Sequence, residues 1–288
     1  MKEEQTCFKF HLRRSVGWCV AAPFVVAGAQ RRAAARYDAE GTVLSLCAHD
    51  PTPEVLENTL KGLLRRGFHF HSENDVLRGR LRPRAAWLSF DDGWQGFLRC
   101  LPVLERLGVP ATLFIAPDAT ARGFLWTNAL MPHLPMRRIR ALYALPEAER
   151  MAVVEDVLGG RFPNTLLSPE EVARLARHPL LSIGNHSASH LSCSHRPVGE
   201  VACEIDRAQR ALQTWTGVTP RLFCYPFGHR TAETDAAVRA AGLWPIGLAP
   251  GIDRVSAFGR FRNMLYDNVS TAENLCRVLG SWVPIRKT

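Results

Sequence analysis

The chain has 288 residues, 47% of them apolar, and a formal net charge of +9. That balance suits an enzyme-sized domain with a large core, and the absence of internal repeats and low-complexity tracts excludes solenoid and tail-like architectures. The basic excess rests on arginine, since Lys2, Lys9, Lys61 and Lys287 are the only lysines. It is scattered and no nucleic-acid-binding motif accompanies it, so it reads as a solvated face first and as attraction to anionic lipid or saccharide second. The eight cysteines show neither CxxC spacing nor a small-domain disulfide pattern, which points to reduced thiols and a cytoplasmic setting.

Residues 1–41 form an apolar and basic segment of their own. Within it, residues 15–29 are an uncharged, largely apolar run between Arg13-Arg14 and Arg31-Arg32. At 1.5 Å per residue the run reaches ~22 Å, short of the ~30 Å hydrocarbon core. It reads as a surface helix leaning on the protein or peripherally on a membrane; the alternative is a leader for export, cleaved after Ala27-Gly28-Ala29.

From residue 42 to 288 strand and helix signals alternate, which is the α/β pattern. Residues 43–48 read as an apolar strand ending at His49. Thr52-Pro53-Glu54 opens a helix with Leu56, Leu60, Leu63 and Leu64 on one face. Residues 86–90 read as a buried strand, followed by a helix marked by Leu98, Leu101, Leu104 and Leu107 that stops at Gly108. Residues 109–115 give the next strand. Between 118 and 167 the pattern loosens into an insertion with Trp126, Met131, Pro132 and a basic patch at Arg137, Arg138 and Arg140. Ser168-Pro169-Glu170-Glu171 then caps a helix leading to an apolar strand at 180–184. Val198, Val201, Ile205, Ala208 and Leu212 mark a long helix, and strands near 244–248 and 260–265 precede a final helix from Thr271.

Two motifs fall at the carboxyl ends of these strands, where α/β enzymes keep their chemistry. Leu88-Ser89-Phe90-Asp91-Asp92-Gly93 ends a strand in two carboxylates. His186-Ser187-Ala188-Ser189-His190 follows another strand with two imidazoles four apart. Alone, the first fits a turn with a helix cap and the second arises readily by chance. Together, Asp92, His186 and His190 make a one-carboxylate, two-imidazole metal site with positions left open, which is the pattern of a hydrolase rather than of a structural clamp. Zinc is the first choice for this mixed oxygen and nitrogen set, and iron, cobalt or nickel suit it too. Cys193, close to the histidines, reads as a loop thiol rather than a ligand.

A third motif, Phe223-Cys224-Tyr225-Pro226-Phe227-Gly228, follows in order, and the three together resemble the polysaccharide deacetylase (NodB-homology) family over roughly residues 42 to 283. The resemblance implies a single-domain, distorted (β/α) barrel and metal-dependent removal of acetyl groups from an N-acetylated saccharide, a cell-envelope glycan or its precursor. Motif by motif it implies Asp91 as general base, Asp92, His186 and His190 as metal ligands, and the Phe227 N–H as an oxyanion donor. In such an enzyme the insertion reads as a lid, a substrate wall or a peripheral excursion, with Trp126 stacking on a sugar ring. There are two departures. Cys224 stands where many members carry an arginine that orients the base; Arg221, Arg230 and Arg262 are the substitutes, with Arg262 preferred. The family's closing Leu-x-His is absent, since no histidine follows His229. Its counterpart is Leu46-Cys47-Ala48-His49, as in members that resemble circular permutants, which makes His49 the general acid. The competing readings are a glycan-binding barrel without turnover, and hydrolysis of another amide or ester on the same centre.

Overall fold

The computed structural model describes residues 28–281, with Cys19 and residues 21–23 ahead of them. Most of the 15–29 run therefore lies outside the described residues. Among the described residues no helix is long and apolar enough to cross a membrane. Two compact units interleave along the chain: the first takes residues up to Ser89, Gly96–Ala111 and from Leu248 onward, the second Phe90–Gln95 and Thr112–Gly247.

The first unit is built around β1 (Thr42–Ala48), whose seven residues are all buried. A continuous apolar run of this kind belongs to a strand covered on both faces. β2 (His69–Phe70) pairs in parallel with β3 (Ala85–Phe90), and β3 lies beside β1. Two short strands share the remaining edge of β1: β8 (Asp253–Arg254) runs antiparallel at Thr42 and Val43, and β9 (Asn263–Met264) runs parallel at Leu46 and Cys47. The expected strand over 260–265 is thus only two residues long. On it the Asn263 amide accepts the Gly251 N–H at 3.1 Å and donates to the Gly251 carbonyl at 2.8 Å, a side chain serving two backbone groups.

The helix Pro53–Leu64 carries proline in its first turn, with Leu56, Leu60 and Leu63 buried. Thr52 occupies the cap position, but its hydroxyl donates to Asp267 at 2.8 Å rather than accepting from the helix. The helix Phe97–Leu107 ends at Gly108 in the left-handed conformation, as expected. The last helix, Thr271–Val278, lies against Pro53–Leu64, where a Cβ on Gly62 would stand 2.8 Å from Leu275.

The second unit holds β4 (Ala111–Ile115), β5 (Leu181–Asn185), β6 (Leu222–Cys224) and β7 (Trp244–Ile246), in the order β7-β6-β5-β4, with β5–β6 and β6–β7 parallel. The helix Pro169–Leu175 opens on a complete capping box between Ser168 and Glu171. The helix Val198–Thr216 buries Val201, Ile205, Ala208 and Leu212, the expected stripe. The insertion is not loose. Four helices, Pro117–Arg122, Trp126–Leu130, Met136–Ala141 and Glu147–Leu158, occupy it. Phe124, Trp126, Leu130, Ile139, Tyr143 and Val154 form a core of its own, against which Phe227 packs. Trp126 is only 2% exposed, so the expected stacking of its ring on a sugar is corrected: the indole is committed to the interior.

Asp253 generates a prediction about stability. It is fully buried on β8, where Oδ2 accepts from the Ser45 hydroxyl at 3.1 Å and the Gly259 N–H at 2.8 Å. Burial outweighs those bonds and pushes its pKa up from 3.8 to about 7. Between these values the folded chain keeps a proton that the unfolded chain has released, so stability falls as pH rises through the window. At about 1.4 kcal/mol per pKa unit the loss is on the order of 4 kcal/mol. Urea unfolding at pH 4.5, 6 and 7.5 should show this decline, and Asp253→Asn should remove most of it.

Candidate active site

The three motifs occupy the turns that follow β3, β5 and β6, and strained backbone marks all three. Only five non-glycine residues among those described have positive φ, and four of them are here: Asp92 (78°), Ser187 (55°), His190 (58°) and Phe227 (62°). Each such residue costs about 1–3 kcal/mol and persists only where the surroundings over-determine it. Such clustering is a feature of functional turns rather than of ordinary connections.

The second unit brings Asp92, His186 and His190 together, all three buried, with ligand atoms within 4.8 Å of one another. Asp92 Oδ1 lies 3.3 Å from Nε2 of His186 and 3.1 Å from Nε2 of His190. Its other oxygen accepts the indole N–H of Trp94 at 3.0 Å. Trp94 escaped the sequence reading because nothing in its spacing marks a tryptophan two residues past a ligand. His186 Nδ1 is 2.8 Å from the Cys224 carbonyl. A carbonyl can only accept, so Nδ1 carries the proton and, in the neutral imidazole, Nε2 presents a lone pair. Nε2 of both imidazoles converges on the same carboxylate oxygen, and one oxygen with two imidazole nitrogens is a fitting donor set for a divalent metal. Burial pulls the His190 pKa below its ordinary value, and the hydrogen bond and charge of Asp92 oppose that pull.

Asp91 is 3% exposed, and the Cys224 thiol donates to its Oδ2 at 3.5 Å. The residue found in place of the expected arginine therefore does touch the proposed base, as a weak neutral donor. Asp91, His186 and Cys224 form a second close group of potential ligands. Cys193 is buried, its thiol donates to the Leu191 carbonyl at 3.7 Å, and it belongs to no close group of potential ligands among the described residues. Phe227 sits at the centre of the turn Pro226–Gly228, with its ring 4.6 Å from that of His190 at 73°.

His49 follows β1 directly and is half-buried. Arg262, in the first unit, is 1% exposed and donates to the Ser89 hydroxyl at 3.0 Å, which itself donates to the Leu46 carbonyl at 2.8 Å. Arg230 pairs with Asp235 and lies over the Tyr225 ring, and Arg221 is exposed just before β6, at the end of the strand away from the motif. Ser89, the partner of Arg262, stands two residues before Asp91 in the sequence.

Residues 78–246 match the profile of the family described as polysaccharide deacetylase. Among solved structures, the Streptococcus pyogenes deacetylase PplD in complex with acetate is similar at 15% identity, over 83% of this chain and 99% of that one, with a TM-score of 0.58. IcaB from Ammonifex degensii is similar at 18% identity, over 84% and 97%, with a TM-score of 0.59. The BpsB deacetylase domain from Bordetella bronchiseptica is similar at 17% identity, over 79% and 97%, also at 0.59. No curated protein matches. At these identities the likeness shows the fold, the (β/α) barrel expected from the motifs.

Gly184, two residues before His186, provides a test of how β5 is seated. A Cβ there would stand 2.4 Å from the Phe114 ring on β4. Gly184→Ala should lower stability by about 1–3 kcal/mol through overpacking, read as a reduced urea midpoint with an unchanged slope.

Proposed function

The chain belongs to the polysaccharide deacetylase family, and we propose that it cleaves the acetamide of an N-acetylated saccharide, a cell-envelope glycan or its precursor, at a divalent-metal centre formed by Asp92, His186 and His190. The observation that carries the metal is the convergence of Nε2 of His186 and Nε2 of His190 on one Asp92 oxygen, with the His186 Nδ1–H committed to a carbonyl. A cation held there supplies Lewis-acid polarisation of the acetyl group and acidifies water; zinc suits the donors best, and iron, cobalt and nickel also suit them.

The rest of the chemistry belongs to the chain. Asp91 takes the proton of the attacking water, its carboxylate steadied by the Cys224 thiol. The Phe227 N–H, presented by a turn that holds this residue at φ 62°, donates to the oxygen on which negative charge develops. His49 protonates the departing amine, and Arg262 stands in for the arginine missing at position 224; both roles rest on the family resemblance. Trp94 and the Cys224 carbonyl hold Asp92 and His186 in the orientations the centre requires.

Elemental mass spectrometry of purified protein is the direct test. About one divalent metal per chain should accompany wild type and be lost in Asp92→Ala and His186→Ala; a folded wild type that takes up no metal after zinc loading would sink the proposal. Acetate release from N-acetylated oligosaccharides should then fall roughly 10²–10⁴-fold in His49→Gln with metal content unchanged. Bound metal without turnover on any such glycan would favour the competing reading of a glycan-binding barrel.

A further inference from the structure

The two imidazoles of the 186–190 turn are held differently. His186 has its outer nitrogen bonded to the Cys224 carbonyl. Among the described residues nothing hydrogen-bonds to the buried Nδ1 of His190. A metal-binding imidazole is ordinarily oriented by a hydrogen bond from its far nitrogen. Without one, the ring's direction has to come from its walls and its backbone. Phe227 supplies a wall edge-on to the ring. The backbone is in the left-handed region at φ 58°, uncommon for a residue other than glycine.

Support for it comes from the insertion. The Trp126 indole N–H donates to the His190 carbonyl at 3.3 Å. The preceding residue, Ser189, is fixed at both polar atoms: its N–H and its hydroxyl reach Glu204 Oε2 at 2.8 and 3.1 Å. The same hydroxyl accepts from Nη2 of Arg150 at 3.1 Å. Arg150 lies on the helix Glu147–Leu158, is 1% exposed, and holds its guanidinium 5.1 Å from the centre of the Trp126 ring. One buried cation thus touches both side-chain groups that hold the chain at His190, the indole and the serine hydroxyl. An arginine used only to pack the insertion would gain little from such a place, because burying the charge carries a desolvation cost that an apolar side chain avoids.

We propose that Arg150 is a positioning residue for the metal centre: by holding Trp126 and Ser189 it fixes the backbone of His190 and so aims its imidazole. The insertion is then part of the metal-retaining machinery rather than a peripheral excursion. The proposal rests on the reading of Asp92, His186 and His190 as a metal site.

Two variants separate positioning from packing. Arg150→Met keeps an apolar stem and removes the charge and the donors; Trp126→Phe keeps a ring and removes only the N–H and some bulk. Three quantities are measured on the full chain: the zinc dissociation constant by competition with a chromophoric chelator, the visible absorption of the cobalt(II) form, and the thermal midpoint of the metal-free protein. Zinc should bind about 10–100-fold more weakly to Arg150→Met and about 10-fold more weakly to Trp126→Phe. The cobalt bands of both should shift, and Arg150→Lys, which can still donate to Ser189, should recover part of the affinity. Wild-type zinc affinity and an unchanged cobalt spectrum in both variants, whatever their thermal midpoints, would overturn the proposal and leave Arg150 as packing. Should Arg150→Met fail to fold, Trp126→Phe decides by the same two readouts. A wild type that binds no zinc would remove the metal reading itself, and this proposal with it.

Discussion

One carboxylate oxygen of Asp92 meets the Nε2 atoms of two imidazoles at 3.1 and 3.3 Å, and the turns of the second unit are arranged to hold the three groups there. The Nδ1–H of His186 is directed away from the carboxylate, to the Cys224 carbonyl. Asp92 is prevented from turning aside by the Trp94 indole on its second oxygen. The backbone reinforces the constraint. Asn185 accepts the Ser187 N–H at 2.9 Å, and the Ser187 hydroxyl accepts the Leu191 N–H at 2.9 Å, so the loop between the histidines is tied at both ends by short local bonds. These bonds offset part of the cost of two left-handed residues within four positions. A turn selected for stability alone would place glycine or asparagine there.

The support extends outward through charge. Glu204 is buried, and burial pushes its carboxyl pKa up, while the Ser189 N–H and Arg207 pull the other way. Arg150 is shifted down by burial, with Glu147 and Glu204 opposing. The serine hydroxyl between Arg150 and Glu204 thus joins two opposite charges that would each be costly alone in the interior. Each has a further opposite charge beside it, Arg207 for Glu204 and Glu147 for Arg150, so the serine hydroxyl is one link of a charge network rather than of an isolated pair.

Much of this was legible in the sequence because it is local. Strand runs such as 43–48 and 86–90, the Ser168-Glu171 capping box, the stripe from Val201 to Leu212 and the left-handed stop at Gly108 all follow from spacing within a few residues. The pairing of Asp92 with His186 and His190 was legible through the order of three motifs. What could not be read depends on contacts distant in sequence. Trp126 looked like an exposed aromatic beside a basic patch, and only the core formed with Phe124, Tyr143 and Val154 turns it inward. Arg150 sits in an ordinary-looking acidic and basic helix, and its burial depends on Ser189 and Trp126 together. Thr52 fits a helix cap by its chain neighbours, yet Asp267, far along the sequence, takes its hydroxyl.

The two adjacent carboxylates of the first motif show how one short sequence serves two purposes. Asp92, at φ 78°, is turned out of the strand direction toward the imidazoles and the Trp94 indole, and both of its oxygens are engaged. Asp91 continues from β3 and accepts from a thiol, a donor weaker than the guanidinium common in the family. In the proposed reading Asp91 is the base, and the Cys224 thiol touches it directly, so the third motif still reaches the first without its arginine. The substitution of Cys224 therefore need not mark a lost activity.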